Sequence, residues 1–138
     1  MYFEYEIEGG NFTKAGIASS HFKKVLKQLN VEPAIIKRIV VALYEAEMNI
    51  VAHAYKGTIT IQVEPEKIVI ILSDKGPGIA DIEKAMQVGF STASPAVREM
   101  GFGAGMGLPN IQNNADKLKI TSQVGLGTQV EITTYLKK

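Results

Sequence analysis

Cysteine is absent from this 138-residue chain, which removes disulfides, thiolate metal sites and thiol nucleophiles from consideration. An excess of charge is missing too. Fifteen basic residues against fourteen acidic ones leave a formal net charge of +1, so electrostatics give no case for nucleic acid or an anionic membrane as partner. No apolar run approaches the roughly 18–20 residues needed to cross a bilayer. The opening MYFEYEIEGG has no secretory pattern, which makes the cytoplasm the expected location. Repeats, low-complexity tracts and linkers are also lacking. What remains is ordinary for a soluble globular protein, 46% hydrophobic and 21% charged, and long enough for one sizeable core. A single domain over residues 1–138 is expected.

The chain reads as alternating strands and helices. FEYEI, near the start, has strand alternation and ends at Gly9-Gly10-Asn11. From Thr13 to Leu29 the apolar positions Ile17, Phe22, Val25, Leu26 and Leu29 fit an amphipathic helix. Pro33 suits the first turn of a second, long helix running to about Tyr55, with Gly57 ending it. Strands follow at 58–63 and 67–73, joined by Glu64-Pro65-Glu66, a connector so short that it implies an antiparallel hairpin. A short helix is predicted over 80–88, a mobile glycine-rich loop over 89–107, a helix over 108–117, and two strands at 118–122 and 128–136. Ile59, Ile61 and Val63 alternate with polar residues, as do Val130 and Ile132. A sheet with one wet face needs helices only on the other. The expected fold is therefore α+β: a two-layer α/β sandwich with a mixed, largely antiparallel sheet.

The most informative stretch is VALYEAEMNIVAHAY, residues 41–55. Glu45, Asn49 and His53 recur every four residues and form one narrow polar stripe on a helix that is apolar on nearly every other side. Ile36, Ile39, Leu43, Ala46, Ile50 and Ala54 make its core face. Burying an isolated carboxylate costs several kcal/mol, so an acidic residue on such a helix points to a use.

Two glycine clusters follow. Asp74-Lys75-Gly76-Pro77-Gly78-Ile79 stands directly after an apolar strand. It is either a plain turn or a place where backbone approaches a flat ring and Asp74 accepts from a ligand amino group. Gly101-Phe102-Gly103-Ala104-Gly105-Met106-Gly107-Leu108 leads into a helix. It is either a flexible loop or a set of backbone N–H groups for phosphate. The P-loop, the dinucleotide fingerprint and the protein-kinase signatures are all missing.

Taken in order, Glu-x-x-x-Asn on a buried helix, Asp-x-Gly-x-Gly after a strand, a glycine-rich loop before a helix and a final Gly127-Thr128 resemble the Bergerat (GHKL) ATP-binding fold of gyrases, histidine kinases and MutL-type proteins. The chain is most similar to the small bacterial anti-sigma-factor serine/threonine kinases. EAEMNIVAHAY looks like their N-box, and GFSTASPAVREMGFGAGMGLPNIQ looks especially like the lid of the stressosome-type switch kinase.

The resemblance implies a Mg-ATP-dependent kinase that phosphorylates a serine or threonine of a small antagonist protein, while a competing regulator or sigma factor shares the switch. It makes Asn49 a Mg²⁺ ligand and Glu45 the general base. Asp74 would accept from the adenine amino group with Thr128 in support, and Gly76, Gly78 and Ile79 would line the base. Gly101, Gly103, Gly105, Met106, Gly107 and Leu108 would wrap the phosphates. His53 would reach phosphate or ribose, or else serve as a capping or core histidine. Ser91 and Thr92 would contact nucleotide on lid closure or merely shape the loop. His21 has no phosphoacceptor context. A homodimer is possible, with Phe3, Tyr5 and the first helix as its edges. One departure stands out: Gly103-Ala104 occupies the place where the sporulation-type kinases carry an arginine, and Arg98 and Lys75 are the nearest cations. That departure leaves an alternative, an ATP-gated binding module that sequesters or activates a regulator without chemistry. A gyrase-like ATPase clamp would need a transducer domain from elsewhere.

Overall fold

A computed structural model describes residues 1–79, 86 and 107–136. The helix expected at 80–88, most of the glycine-rich loop, and Ser91, Thr92, Arg98, Gly101, Gly103, Gly105 and Met106 lie outside those residues.

Strand β1 (Tyr2–Glu8) leads through a 3₁₀ turn (Phe12–Lys14) to helix α1 (Ile17–Gln28) and the long helix α2 (Pro33–His53). Strands β2 (Lys56–Val63) and β3 (Lys67–Lys75) form the expected hairpin. Helix α3 (Gly107–Asn113) then precedes the final hairpin, β4 (Lys117–Gln123) and β5 (Gly127–Tyr135). The sheet order is β1-β2-β3-β5-β4, and every one of its pairings is antiparallel.

The alternation that marked the strands also builds the core. Ile59 and Ile61 of β2, Ile68, Ile70 and Leu72 of β3, and Val130 and Ile132 of β5 are buried. They pack against Phe22 and Leu26 of α1, Ile36, Ile39, Leu43, Ala46 and Ile50 of α2, and Leu108 and Ile111 of α3. All three helices thus cover the same face of the sheet, as the one-sided alternation required.

Several boundaries differ from those read in the sequence, each for a local reason. The first helix starts at Ile17 rather than Thr13, because Ala15 is extended and breaks the backbone hydrogen-bond ladder after the 3₁₀ turn. Asn30, in the left-handed region at φ 58°, closes α1 at the other end. Helix α2 stops at His53, and Gly57 is a residue of β2 rather than the helix stop. β3 runs on to Lys75, so Asp74 belongs to the strand and pairs with Gly57. Helix α3 ends at Asn113 rather than Lys117, where Asp116 N–H turns away to the Thr133 carbonyl. Phe3 and Tyr5 are spent inside the chain: Phe3 packs edge-on against Phe22, and Tyr5 hydrogen-bonds His21 Nδ1 at 2.6 Å.

Thr134 of β5 is fully buried, and its hydroxyl has no hydrogen-bond partner among the described residues. An unpaired buried hydroxyl costs stability that an isosteric apolar group does not. Thr134→Val is expected to stabilise the fold by about 1 kcal/mol, seen as a higher midpoint in urea with an unchanged slope. A lower midpoint would show that the hydroxyl is satisfied.

Candidate functional site

The polar stripe of α2 is half-buried along its length. Glu45 is half-buried and faces α3, whose Asn110 donates its side-chain amide to Glu45 Oε1 at 3.4 Å. Asn49 and His53 follow on the next two turns, each also half-buried. At 1.5 Å of rise per residue, Glu45 and Asn49 stand about 6 Å apart along the axis. The stripe therefore runs toward the end of α2, where Tyr55 N–H donates to the Lys75 carbonyl at 2.8 Å and ties the helix to the end of β3. Burial pulls the His53 imidazole below its ordinary value, so it is neutral at pH 7 and offers a hydrogen bond rather than a positive charge.

Asp74 lies on the helix-facing side of β3, in phase with Ile68, Ile70 and Leu72. One of its oxygens, Oδ1, accepts from Thr128 N–H at 3.1 Å. Thr128 stands directly opposite Ser122 across the β4–β5 hairpin, and their hydroxyls are 2.8 Å apart. Ser122 also accepts from Ile79 N–H at 2.7 Å, which fastens the end of the Gly76–Ile79 segment to the sheet. That segment is clamped twice more: Gly76 N–H donates to the Leu126 carbonyl at 3.2 Å, and Gly125 N–H to the Pro77 carbonyl at 2.8 Å.

The clamp explains two glycines. Gly78 has φ 76°, and a Cβ there would meet the Gln123 carbonyl oxygen at 2.5 Å. Gly127 has φ 153°, and its Cβ would lie 2.0 Å from the Asp74 carbonyl oxygen. No side chain fits at either point. The close approach read from the first glycine cluster is thus backbone against the β4–β5 turn.

Two expected contributors look different in the structure. Leu108 is a core residue of α3, so only its backbone is left to face a phosphate. Gly107 is the first residue of that helix. An open cleft of about 350 Å³ at this end of the sheet is lined by Asp74, Ser122 and Thr128 and also by Ser73, Thr121 and Gln129. The last three set its outer side. These three exposed residues alternate with Asp74, Ser122 and Thr128, which puts them on the outer face, away from α2.

Sequence reasoning missed three residues. Ser122 carried no signal beyond its position opposite Thr128 in a hairpin. Asn110 could only be found once α3 was packed on α2. Glu47 was legible: it lies between Leu43 and Val51 on an apolar stripe of α2, and it is the carboxylate that is truly buried, 1% exposed. Its Oε2 accepts from the N–H groups of Gly16 and Ala18, and its Oε1 from Ser19 N–H and Ser19 Oγ–H. Glu47 therefore caps α1 from a different helix.

Burial pushes Asp74 above the ordinary aspartate value, with the Thr128 N–H bond pulling the other way. The sign follows from linkage. A carboxyl with a raised folded pKa is ionised at a cost to folding at pH 7, and the cost is relieved as pH falls toward the unfolded value. Asp74→Asn keeps the bond from Thr128 and removes the charge. Its melting temperature at pH 7 is expected to equal or exceed that of the unsubstituted chain, with any gain shrinking toward pH 4. If Asp74 accepts from the adenine amino group, as the resemblance implies, nucleotide affinity should also drop by about 100-fold, because an amide N–H would then face a donor. Melting curves across pH 4–7 and calorimetry check both halves; weakened folding at pH 7 with normal nucleotide binding would contradict them.

The model of the histidine kinase-like ATPase domain matches residues 13–134, nearly the whole described fold. The chain belongs to that family. It is 34% identical over 119 residues to the serine/threonine-protein kinase RsbT of Bacillus subtilis, covering 83% of this chain and 84% of the relative. The anti-sigma F factor of Caldanaerobacter subterraneus subsp. tengcongensis is 41% identical over 106 residues, 73% of this chain and 71% of that protein. The Bacillus subtilis anti-sigma F factor is 28% identical, covering 100% and 93%. A solved mycobacterial sensor histidine kinase, MprB, superposes with a TM-score of 0.55 at 14% identity over 99% of both chains, a likeness of fold. The resemblance read from the three motifs is thus borne out at the level of the family, and ATP use comes with it. No helix among the described residues is long and apolar enough to cross a membrane.

Proposed function

We propose that this chain is a Mg-ATP-dependent protein serine/threonine kinase of a partner-switching module. It phosphorylates a small antagonist protein and binds a second regulator or sigma factor in competition. What supports the reading is the half-buried Glu45/Asn49 stripe of α2, a helix tied at its end to β3, together with the Asp74–Thr128 pair on the helix-covered face, in a chain similar to RsbT along most of its length.

In this reading Asp74 accepts from the adenine amino group, and Gly76, Gly78 and Ile79 line the base. The glycine segment from Gly101 to Leu108 supplies backbone N–H groups to the phosphates, with Ser91 and Thr92 in the lid. Asn49 offers a carboxamide oxygen one turn from the Glu45 carboxylate, a donor set of hard oxygens that fits Mg²⁺ held mainly by phosphates and water. The ion, when bound, neutralises charge on the β- and γ-phosphates. Glu45 takes the proton from the substrate hydroxyl as its oxygen bonds to the γ-phosphorus. The bond from that phosphorus to the β-γ bridging oxygen breaks, and ADP leaves. Asn110, donating to Glu45 Oε1, holds the carboxylate in place. The neutral His53 gives at most a hydrogen bond to the ribose or phosphate.

The test is incubation with γ-labelled ATP, magnesium and purified candidate antagonist proteins; label is expected on a serine or threonine of one of them. Tight Mg-ATP binding with no transfer would favour the second reading, an ATP-gated binding module, which Gly103-Ala104 in place of an arginine supports.

A further inference from the structure

We propose that Ser122 is a specificity-determining residue: by accepting a hydrogen bond from the Thr128 hydroxyl it makes the base-binding end of the pocket accept hydrogen bonds only, selecting a 6-amino purine over a 6-oxo purine. This rests on the reading that Asp74 and Thr128 hold the nucleobase.

Ser122 Oγ has one proton and three polar neighbours: Ile79 N–H at 2.7 Å, the Gly127 carbonyl oxygen at 3.1 Å and the Thr128 hydroxyl at 2.8 Å. Ile79 N–H can only donate, and the Gly127 carbonyl can only accept. The arrangement that satisfies all three has Ser122 donating to Gly127, accepting from Ile79, and accepting from Thr128. The Thr128 proton is then committed, and its oxygen has only lone pairs to offer a ligand.

Asp74 completes the edge. Its Oδ1 is engaged by Thr128 N–H, and Oδ2 has no partner among the described residues. An ionised carboxylate accepts only. Asp74 and Thr128 thus present an edge of acceptors, complementary to an exocyclic amino group with its two N–H donors. A carbonyl at the same position would face lone pairs and leave them all desolvated, the kind of mismatch that discriminates strongly. Ser122 need not touch the base to do this; it acts through Thr128.

The experiment measures binding of Mg-ATP and Mg-ITP, which differ in the amino or oxo group at the 6-position and in the N1 proton that accompanies the oxo group, by calorimetry on the full chain. The unsubstituted protein is expected to prefer ATP by at least about tenfold. Ser122→Ala frees the Thr128 proton to turn toward a carbonyl, so the ATP:ITP ratio should narrow by about tenfold. Ser122→Thr, which keeps the hydroxyl, should hold the ratio. In a Thr128→Val background, Ser122→Ala should leave the ratio where Thr128→Val alone puts it. Should Ser122→Ala not fold, Ser122→Cys, whose thiol is a weak acceptor, is read by the same ratio. A ratio unchanged in folded Ser122→Ala would overturn the inference, because a purely structural serine would weaken both nucleotides alike. Equal affinity for the two nucleotides in the unsubstituted protein would overturn it as well. An unsubstituted protein that binds neither would instead overturn the reading of the pocket itself.

Discussion

Replacing Glu45 by glutamine is expected to cut phosphoryl transfer by about 10²–10⁴-fold while leaving Mg-ATP affinity within about threefold of normal. The exchange keeps the shape and an oxygen for the Asn110 amide, which lies 3.4 Å from Glu45 Oε1. What it removes is the capacity to take a proton from the attacking hydroxyl. Glu45 sits on the helix turn before Asn49 and faces α3, half-buried. Measured by transfer of labelled phosphate alongside calorimetry, the split between lost transfer and retained binding is the signature of a base. Unimpaired transfer would remove Glu45 from the chemistry. Equal loss of binding and transfer would make it a ligand for the nucleotide instead. If partner capture persists with transfer gone, binding and chemistry are separable functions of the same switch.

Glu47→Ala should destabilise the fold strongly. The carboxylate is buried and accepts four hydrogen bonds from Gly16, Ala18 and Ser19, at 2.6 to 3.3 Å. Those donors form the unsatisfied first turn of α1, where a negative charge is also favoured by the helix dipole. Its charge is felt nearby: burial first, and Glu47 second, push the Tyr5 phenol above its ordinary value. Alanine strands the donors in an apolar setting. The expected loss is about 4 kcal/mol, taking 1–3 kcal/mol for each stranded donor and allowing for partial relaxation. For a domain of this size that lowers the melting temperature by about 10–15 °C. Ser19→Ala, which removes one donor and leaves the other bonds, should cost about 1 kcal/mol. Thermal and urea unfolding of both variants check the pair. A Glu47→Ala protein within about 1 kcal/mol of the original would mean that α1 is held by its apolar face alone.

These two carboxylates show what could and could not be read in the chain. The four-residue spacing of Glu45, Asn49 and His53 is a local pattern, and one helix settles its geometry. The same holds for the alternation in β2 and β5, which marked the covered face, and for the short connector Glu64-Pro65-Glu66, which marked the first hairpin. Glu47 is different, because its partners lie 28 to 31 residues earlier, and only the packing of α1 on α2 brings them together. Its apolar neighbours Leu43 and Val51 were the available warning that it needed partners. Ser122 is likewise a product of cross-strand register, since it acquires meaning only when β4 places it opposite Thr128. Two of the boundary errors have a shared cause. Gly57 and Asp74 pair with each other, so a glycine read as a helix stop and an aspartate read as a turn residue are both held in the ladder by tertiary contact.

The central claim is that nucleotide binds between α2 and the helix-covered face of the sheet, at the ends of β3 and β5. The most direct measurement is a titration of the isotopically labelled chain with Mg-ATP, followed by amide resonances. The account predicts saturating shifts at the Asn49 side-chain amide and at the backbone amides of Gly76, Ile79 and Thr128. Shifts confined to the side-chain amides of Gln123 and Gln129 on the outer face, with Asn49 unmoved, would contradict it, as would the absence of any saturable change.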